Sequence, residues 1–223
     1  MIYLFSNLVY GEPFIRKAQQ YLVTHRHPMR LVFSARTNYP RGRMKRFVRR
    51  GVNFLSNRYS EVQLRHRWNM PVLFVEEVNA SHFFSRISYC DVGIIAGFNQ
   101  IFKKEVIEKF RLLVNFHPSL LPLYRGPVPS YWCIKNREEK TGYTLHTVTE
   151  RIDSGEILFQ KDVTIGSIVD PNELDRKIAL EASETLWHFL DALNSDRPWK
   201  KVQLDAYSIY KCQVDYLSFP NPR

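Results

Sequence analysis

Short apolar runs alternate with amphipathic stretches along the first half of this chain. Each run holds five or six mainly apolar residues, which is typical of buried β-strands. Three of the stretches between them place apolar residues three or four positions apart, the spacing of a helix with one buried face. Strands alternating with helices predict βαβ units and a mostly parallel sheet. The predicted strands are 2–6, 31–35, 71–75, 92–97 and 111–116, and the predicted helices are 12–25, 80–89 and 103–110.

The second half of the chain has a different pattern of elements, with two β-rich segments in succession around a turn. After them, Asp170, Pro171 and Glu173 form a helix start, because they supply an N-cap, a proline in the first turn and an acid at the third position. Apolar residues then keep helical spacing as far as Asn194. The predicted elements are a helix over 129–136, strands over 143–150 and 156–165, and a long helix over 171–194.

These elements predict an α/β fold with a twisted, mostly parallel sheet and helices on both faces. The run over 92–97 is apolar throughout, as expected for a central strand covered on both sides. One domain over 1–194 suits the length. The remaining residues, 195–223, are rich in aromatic and β-branched side chains, which predict a short C-terminal β extension whose apolar surface needs a cover.

Composition narrows the class of protein. Hydrophobic residues make up 44% of the chain and charged residues 24%, which fits a globular protein rather than a disordered one. No apolar run approaches the roughly 20 residues that span a bilayer, and the first residues resemble a strand rather than a signal peptide. Cys90, Cys133 and Cys212 form neither an even disulfide framework nor a metal-ligand spacing. We therefore expect a cytoplasmic protein without a bound metal.

The formal net charge of +10 is concentrated in one segment. Between Arg36 and Arg67 the chain carries ten Lys or Arg residues and a single acid, Glu61. A cluster of this kind attracts phosphates. It could meet a nucleotide diphosphate, a nucleic acid or an acidic patch on another subunit, and a solvated basic face is an equally good interpretation.

The strongest chemical signal lies at the end of the strand predicted over 111–116. Asn115 and His117 are two residues apart, so in a strand their side chains point to the same face. An isolated polar pair at a strand end more often caps or satisfies the backbone. However, ligands of open α/β sheets bind at the carboxyl ends of the strands. An amide donor beside an imidazole there suits stabilising an oxyanion and moving a proton.

Further motifs follow that pair in a fixed order, so the pair is not isolated. Together they make the chain resemble the folate-dependent formyltransferases, which use 10-formyltetrahydrofolate, and the resemblance runs from about Cys90 to Gln160. It implies that 1–194 is the Rossmann-like catalytic domain of this family. The motifs are Asn115-Phe-His117-Pro-Ser-Leu-Leu-Pro122, Tyr124-Arg125-Gly126-Pro127, Thr141-Gly142-Tyr143-Thr144-Leu145-His146 and Asp153-Ser154-Gly155.

The resemblance implies catalytic parts for Asn115, His117 and Asp153. Asn115 with protonated His117 would donate hydrogen bonds to an oxyanion, and His117 would take the proton of the attacking amine. Asp153 would orient the imidazole and stabilise its cation. The resemblance also implies that the pterin ring of the folate lies between the loop after the strand at 92–97 and the segment 149–153. The implied folate-binding residues are Phe98, Gln100, Phe102, Thr149, Glu150 and Ile152.

Tyr124, Arg125 and Gly126 follow the candidate catalytic strand and are expected to bind the second substrate. Glycine permits a close backbone approach, and Arg125 could meet a phosphate or a carboxylate. A structural role for Arg125 is equally compatible with the sequence. His146 is expected to point inward from its strand and to serve packing.

Departures from each branch of the family narrow the choice of acceptor amine. Glycinamide ribonucleotide enzymes carry a glycine-rich phosphate loop after the first strand, whereas this chain has Phe5-Ser6-Asn7-Leu8-Val9-Tyr10-Gly11. Methionyl-tRNA enzymes add a tRNA-reading domain, whereas about thirty residues follow the long helix here. Small sugar N-formyltransferases end in a short extension that often pairs two subunits. We therefore expect a homodimer that formylates a nucleotide-linked amino deoxy-sugar, of a kind used in bacterial surface polysaccharides such as O-antigen.

Two alternatives stay open. Within the same fold, the acceptor could be another small amine, such as glycinamide ribonucleotide or a hydroxyornithine-like amine. From a different class, the chain could be a nucleic-acid-binding protein that works through 36–67, although this segment lacks RNA-stacking motifs.

Overall fold

The computed structural model describes residues 1–7, 10–25, 27–35, 66–89 and 91–194, and within these ranges it contains one seven-stranded sheet. The strands are β1 (Ile2–Ser6), β2 (Met29–Ser34), β3 (Val72–Val75), β4 (Val92–Ala96), β5 (Leu112–His117), β6 (Lys140–Thr147) and β7 (Ile157–Thr164). They lie in the order β3-β2-β1-β4-β5-β6-β7. The first five strands pair in parallel, whereas β6 is antiparallel to β5 and β7 to β6. The predicted α/β fold with a mostly parallel sheet is confirmed.

Helices cover both faces of the sheet, as predicted. Side chains alternate along β1, so that Leu4 enters one core and Phe5 the other. The first core joins the sheet to α1 and α5, which also pack against each other, and the second joins it to α2 and α3. The helices are α1 (Glu12–Thr24), α2 (Ser81–Phe84), α3 (Lys104–Ile107), α4 (Pro129–Lys135) and α5 (Pro171–Asn194).

Helices α2 and α3 are shorter than the predicted spans 80–89 and 103–110. After α2 the chain continues in tighter turns, in which the N–H of Ile87 donates to the carbonyl of Phe84 three residues earlier at 3.1 Å. After α3 the N–H of Phe110 donates in the same way to Ile107 at 3.1 Å. Bonds of this i to i+3 kind do not extend an α-helix. The apolar spacing therefore does mark a buried face, but the type of helical turn changes along it.

Strand β6 begins and ends three residues earlier than the prediction of 143–150. Its last sheet contact is the N–H of Val148, which donates to the carbonyl of Leu113 at 2.8 Å. Beyond it, the hydroxyl of Thr149 donates to the carbonyl of Arg151 at 3.1 Å, and the hydroxyl of Ser154 donates to the same carbonyl at 2.8 Å. These local side-chain bonds compete with a strand ladder and hold 149–154 as a loop.

The cavity described below lies where the strand order changes direction. Strands β1 and β4 are neighbours, but the chain goes from β1 to one edge of the sheet before it returns to β4. The loops that leave them therefore diverge and open a crevice at the carboxyl ends of the strands. Ser6 ties the two ends together, because its hydroxyl donates to the carbonyl of Ala96 at 2.9 Å. Gly97 follows with a φ of +77°, a conformation that L side chains rarely adopt.

Several sequence predictions concern residues outside the described ranges. The extension over 195–223, Cys90, Cys212 and most of the basic segment lie there. At the end of that segment, Arg67 is described: its guanidinium lies 2.9 Å from Glu12 Oε1. Cys133 is buried and carries a free thiol, and burial raises its pKa to about 11. No helix in the described ranges is long and apolar enough to cross a membrane.

Candidate active site

Strands β5 and β6 carry a polar cluster into a cavity of about 570 Å³. The register of the antiparallel pair places Asn115 opposite His146 and His117 opposite Thr144. Asn115, His117 and His146 all line the cavity, as the predicted alternation of β5 requires for the first two. The amide and the imidazole predicted from the sequence therefore do share one face.

Asp153 reaches this cluster from the loop after β6. It sits in a tight turn with a φ of +47°, and its carboxylate is only 13% exposed. Two residues later, a Cβ on Gly155 would lie 1.6 Å from the carbonyl oxygen of Thr147, so only glycine allows the loop to fold back this closely. The loop thereby brings Asp153 to the end of β5, 36 residues along the chain from His117.

Both oxygens of Asp153 are engaged. Oδ2 accepts a hydrogen bond from the backbone N–H of Gly126 at 2.8 Å and lies 3.5 Å from Nδ1 of His117. Oδ1 lies 3.6 Å from Nε2 of His146 and 3.4 Å from Nδ2 of Asn115. The carboxylate thus joins the amide and both imidazoles. The three residues predicted to be catalytic are brought together by the structure.

The electrostatics of the cluster favour an ionised Asp153. Burial acts to raise the pKa of its carboxyl group, but the neighbouring imidazoles of His146 and His117, which can carry positive charge, and the N–H of Gly126 together outweigh burial. The pKa falls to about 2 as a result. The group therefore stays a carboxylate at every pH at which the protein would work.

His117 is 4% exposed, and its two ring nitrogens have different partners. Nε2 lies 2.9 Å from the carbonyl oxygen of Tyr124. Because a carbonyl only accepts hydrogen bonds, Nε2 carries a proton, and the lone pair of the neutral ring is on Nδ1 beside Asp153. Burial lowers the pKa of His117, while Asp153 and the Tyr124 carbonyl act to raise it. The ring is therefore a neutral base with a carboxylate ready to stabilise its cation.

His146 has a contact that the sequence analysis did not foresee. The residue is buried, as predicted, but its Nε2 lies 3.1 Å from Nδ2 of Asn115 and its Nδ1 lies 2.8 Å from the carbonyl oxygen of Thr147. Its expected role in packing is therefore incomplete. The signal that could have revealed the contact is the pairing register of β5 with β6, which a single sequence does not give.

The residues expected to bind folate lie on the wall of the same cavity. The amide of Gln100 is occupied by the protein itself, since Oε1 accepts from the N–H of Val78 at 2.8 Å and Nε2 donates to Ser34 Oγ at 2.8 Å. Phe102 packs edge-on against Phe5 with 5.0 Å between the ring centroids. These two residues shape the wall rather than offer free polar groups. The lining includes Phe98, Gln100, Phe102, Thr149, Glu150 and Ile152.

The residues expected to bind the second substrate are placed differently. The Tyr124 hydroxyl bonds to Glu138 and Asn136, so that its side chain points away while its backbone carbonyl holds His117. Arg125 is exposed, and neither it nor Tyr124 is among the residues that line the cavity. Gly126 does line the cavity, and its N–H is used by Asp153. This segment therefore contributes backbone groups to the site.

The geometry defines a site for proton transfer beside an amide donor, at the crevice of a doubly wound α/β sheet. The sequence over residues 78–190, just over half of the chain, matches the formyl transferase family. The chain belongs to this family. Within the described ranges, no group of three or more His, Cys, Asp or Glu side chains could hold a metal ion.

Similar proteins cover several branches of this family. The methionyl-tRNA formyltransferase of Geobacter metallireducens is 29% identical over 174 residues, which are 77% of this chain and 53% of that protein. The glycinamide ribonucleotide transformylase 1 of Symbiobacterium toebii has a similar fold, with a TM-score of 0.65, 17% identity and 88% of each chain covered. So does a sugar 3-N-formyltransferase solved in the presence of dTDP and 5-N-formyl-THF, with a TM-score of 0.62, 17% identity, and 87% of this chain and 63% of that chain covered. This chain spans about half the length of the curated relatives it matches.

Proposed function

We propose that this protein transfers the formyl group of 10-formyltetrahydrofolate to the amino group of an acceptor. The observation that supports this most is that Asn115, His117 and Asp153 line one cavity, with Asn115 3.4 Å and His117 3.5 Å from the carboxylate of Asp153. The folate would supply an activated formyl group. A cavity of about 570 Å³ with an apolar wall suits a bound heterocycle of that size. Phe98, Ile101 and Ile152 contribute to that wall.

His117 has the properties that proton removal from an amine requires. Its Nε2 proton is held by the carbonyl of Tyr124, so Nδ1 is the nitrogen free to accept a proton. Its pKa is lowered by burial, so the neutral ring dominates at neutral pH. When Nδ1 takes a proton, Oδ2 of Asp153 is 3.5 Å away to stabilise the cation.

Asn115 has the properties of a donor to a carbonyl oxygen that gains negative charge. It is half-buried and lines the cavity beside His117. Its amide nitrogen is turned towards Asp153, whose carboxylate cannot donate, so the N–H groups rather than the amide oxygen face the cluster. A preorganised donor of this kind stabilises acyl-transfer reactions by favouring the charge that develops during reaction.

The charge of the cavity supports an amine as acceptor. Glu150, Asp153 and Asp175 line it, and among the described lining residues there is no Lys or Arg. An acidic cavity attracts an ammonium group and repels phosphate. We therefore propose that the amino group of a nucleotide-linked amino sugar enters the cavity while its phosphates stay outside, where Arg125 is exposed next to Gly126.

A second acceptor is favoured by sequence similarity. The curated relatives of the protein include methionyl-tRNA formyltransferases, and the likeness to one of them extends over 77% of this chain. Methionyl-tRNA also presents a primary amine on a polyanion, which suits the same division between an acidic cavity and the exposed Arg125 outside it. The amine of an aminoacylated tRNA is thus the alternative acceptor to the amine of a nucleotide sugar.

A panel assay tests these proposals. The protein is mixed with 10-formyltetrahydrofolate and, in turn, with nucleotide-linked amino sugars, methionyl-tRNA and glycinamide ribonucleotide, and release of tetrahydrofolate is followed by absorbance. Turnover with an amino sugar, and loss of turnover in Asn115→Ala but not in the exposed control Asn172→Ala, would support the leading proposal. Turnover only with methionyl-tRNA would show that methionyl-tRNA, and not an amino sugar, is the acceptor. No release with any amine would refute formyl transfer.

We also propose that residues 195–223 pair two subunits through their apolar side chains. Light scattering on the full chain and on a chain that ends at Asn194 tests this. A dimer that becomes an aggregating monomer on truncation is expected, and a soluble, active truncated monomer would contradict it.

A further inference from the structure

We infer that His146 is a positioning residue, whose Nε2 accepts a hydrogen bond from the Asn115 amide and fixes the direction in which that amide meets the reacting carbonyl oxygen. The inference rests on the proposed function, in which Asn115 is the donor to that oxygen. It concerns a residue on the neighbouring strand that would not itself touch the substrate.

The protonation of His146 follows from its partners. Nδ1 lies 2.8 Å from the carbonyl oxygen of Thr147, which only accepts hydrogen bonds, so Nδ1 carries a proton. In the neutral ring Nε2 then carries a lone pair. The Asn115 amide nitrogen, 3.1 Å away, has two N–H groups and can donate one of them to that lone pair.

The orientation of the Asn115 amide is fixed from two sides. If the amide were turned over, its oxygen would face both the lone pair on Nε2 of His146 and the Oδ1 of Asp153, which is 3.4 Å from the present nitrogen. Three acceptors would then oppose one another in a half-buried place, which is costly. With the nitrogen inward, one N–H is held at 3.1 Å by His146, and the other faces Asp153 at a distance near the long limit of a hydrogen bond. The weakly held N–H is the one available to a substrate oxygen.

The backbone of β6 departs from regular strand pairing at His146. The pairing of β6 with β7 shifts between Leu145 and His146, a local irregularity of the β-bulge type. Bulges re-aim side chains and occur often beside active sites. His146 is 2% exposed and stands directly opposite Asn115 across the β5–β6 pair. The ring is therefore held both by its carbonyl partner and by the strand that presents it.

Two variants separate positioning from packing. His146→Leu keeps an apolar side chain of similar bulk and removes the acceptor, so kcat should fall by about 10- to 100-fold while the KM for 10-formyltetrahydrofolate changes less than about threefold. His146→Gln offers a carbonyl oxygen near the position of Nε2 and should recover most of the lost kcat. Tyr143→Phe is the matched control, because it removes a buried hydrogen bond to Thr185 from the same strand. It should lower the Tm and leave kcat unchanged.

Equal losses of kcat in the Leu and Gln variants, with both folded, would overturn the inference. So would a kcat for His146→Leu no lower than that of Tyr143→Phe.

A spectroscopic measurement makes the test independent of turnover. In ¹⁵N NMR of the wild-type protein, neutral His146 should show a protonated Nδ1 and an unprotonated Nε2, and the side-chain amide signals of Asn115 should shift in His146→Leu and return towards the wild type in His146→Gln. The opposite tautomer, or Asn115 signals that do not respond to the Leu variant, would refute the positioning role. A wild-type protein that forms no formylated product would refute the proposed function, and the NMR result would still decide whether His146 orients Asn115.

Discussion

Two carboxylates line the same cavity, yet their surroundings shift their acidity in opposite directions. The pKa of Asp153, in the loop after β6, is lowered to about 2. The pKa of Asp175, on α5, is raised, chiefly by burial and secondarily by the negative charge of Asp170. The hydroxyl of Ser130 donates to Asp175 and only partly offsets these effects. Burial acts in the same direction on both groups, so burial does not explain the difference.

The difference lies in the number and type of polar groups around each carboxylate. Asp153 faces a backbone N–H, a side-chain amide and two imidazoles, whereas one hydroxyl donates to Asp175. Pairs of titratable groups with opposed shifts often mark a division of roles in an active site. Asp153 is surrounded so that it stays charged next to His117. Asp175 contributes charge to the cavity at a cost to the folded state.

Removing the charge of Asp153 should cause a much larger loss of turnover than removing that of Asp175. In Asp153→Asn the amide can still accept from Gly126, but it no longer stabilises the cation of His117, so turnover should fall by about 10³- to 10⁴-fold. The formyl transfer assay measures the loss, and circular dichroism shows that the variant is folded. Asp175→Asn, assayed in parallel, should lose far less. Similar losses in both variants would mean that the cavity needs negative charge in general rather than a partner for His117.

A smaller loss is expected from Asn115→Ala, which removes the amide but leaves Asp153 and His117 paired. Removal of one donor to a developing oxyanion costs about 10²- to 10³-fold in kcat. Steady-state kinetics should show the loss in kcat, with the KM for 10-formyltetrahydrofolate little changed. A loss confined to KM would indicate that Asn115 binds the ground state and would contradict the oxyanion role.

The pH dependence of the reaction should reflect His117 and not Asp153. Asp153 is ionised down to about pH 2, so protonation of His117 sets the acid limb of kcat/KM. Because the pKa of His117 is lowered from 6.5, that limb should lie below pH 6.5. An acid limb centred above pH 7 would contradict this assignment.

The stability of the fold should depend on pH with opposite signs at the two acids. The lowered pKa of Asp153 contributes stability that is present above its unfolded value of 3.8 and is lost as the pH falls towards 2. The raised pKa of Asp175 does the reverse, because the folded state binds its proton more readily than the unfolded state. At neutral pH, Asp175→Asn should therefore raise the Tm by about 1–3 °C, the smallest effect in this series. Thermal unfolding at pH 7 checks this, and a clear fall in Tm would show that the charge of Asp175 stabilises the fold.

The fold and part of the site could be predicted from the sequence because they depend on local patterns. The period-two alternation of β5 was sufficient to place Asn115 and His117 on one face, and the order of motifs indicated Asp153. The contribution of Tyr124 could not be predicted, since it acts through a backbone carbonyl that any residue possesses. The bond from Asn115 to His146 depends on the register of two strands, which is set by long-range packing.

The backbone of Asp153 has a consequence for how this protein can be stabilised. With a φ of +47° the residue occupies the left-handed region, which glycine and asparagine adopt at least as readily as aspartate. Either substitution would relax the main chain, but each would also remove the stability that the lowered pKa of Asp153 contributes at neutral pH. Position 153 is therefore a poor target for raising thermal tolerance, because the gain from a relaxed main chain is opposed by the loss of a carboxylate that is only 13% exposed and accepts a hydrogen bond from Gly126.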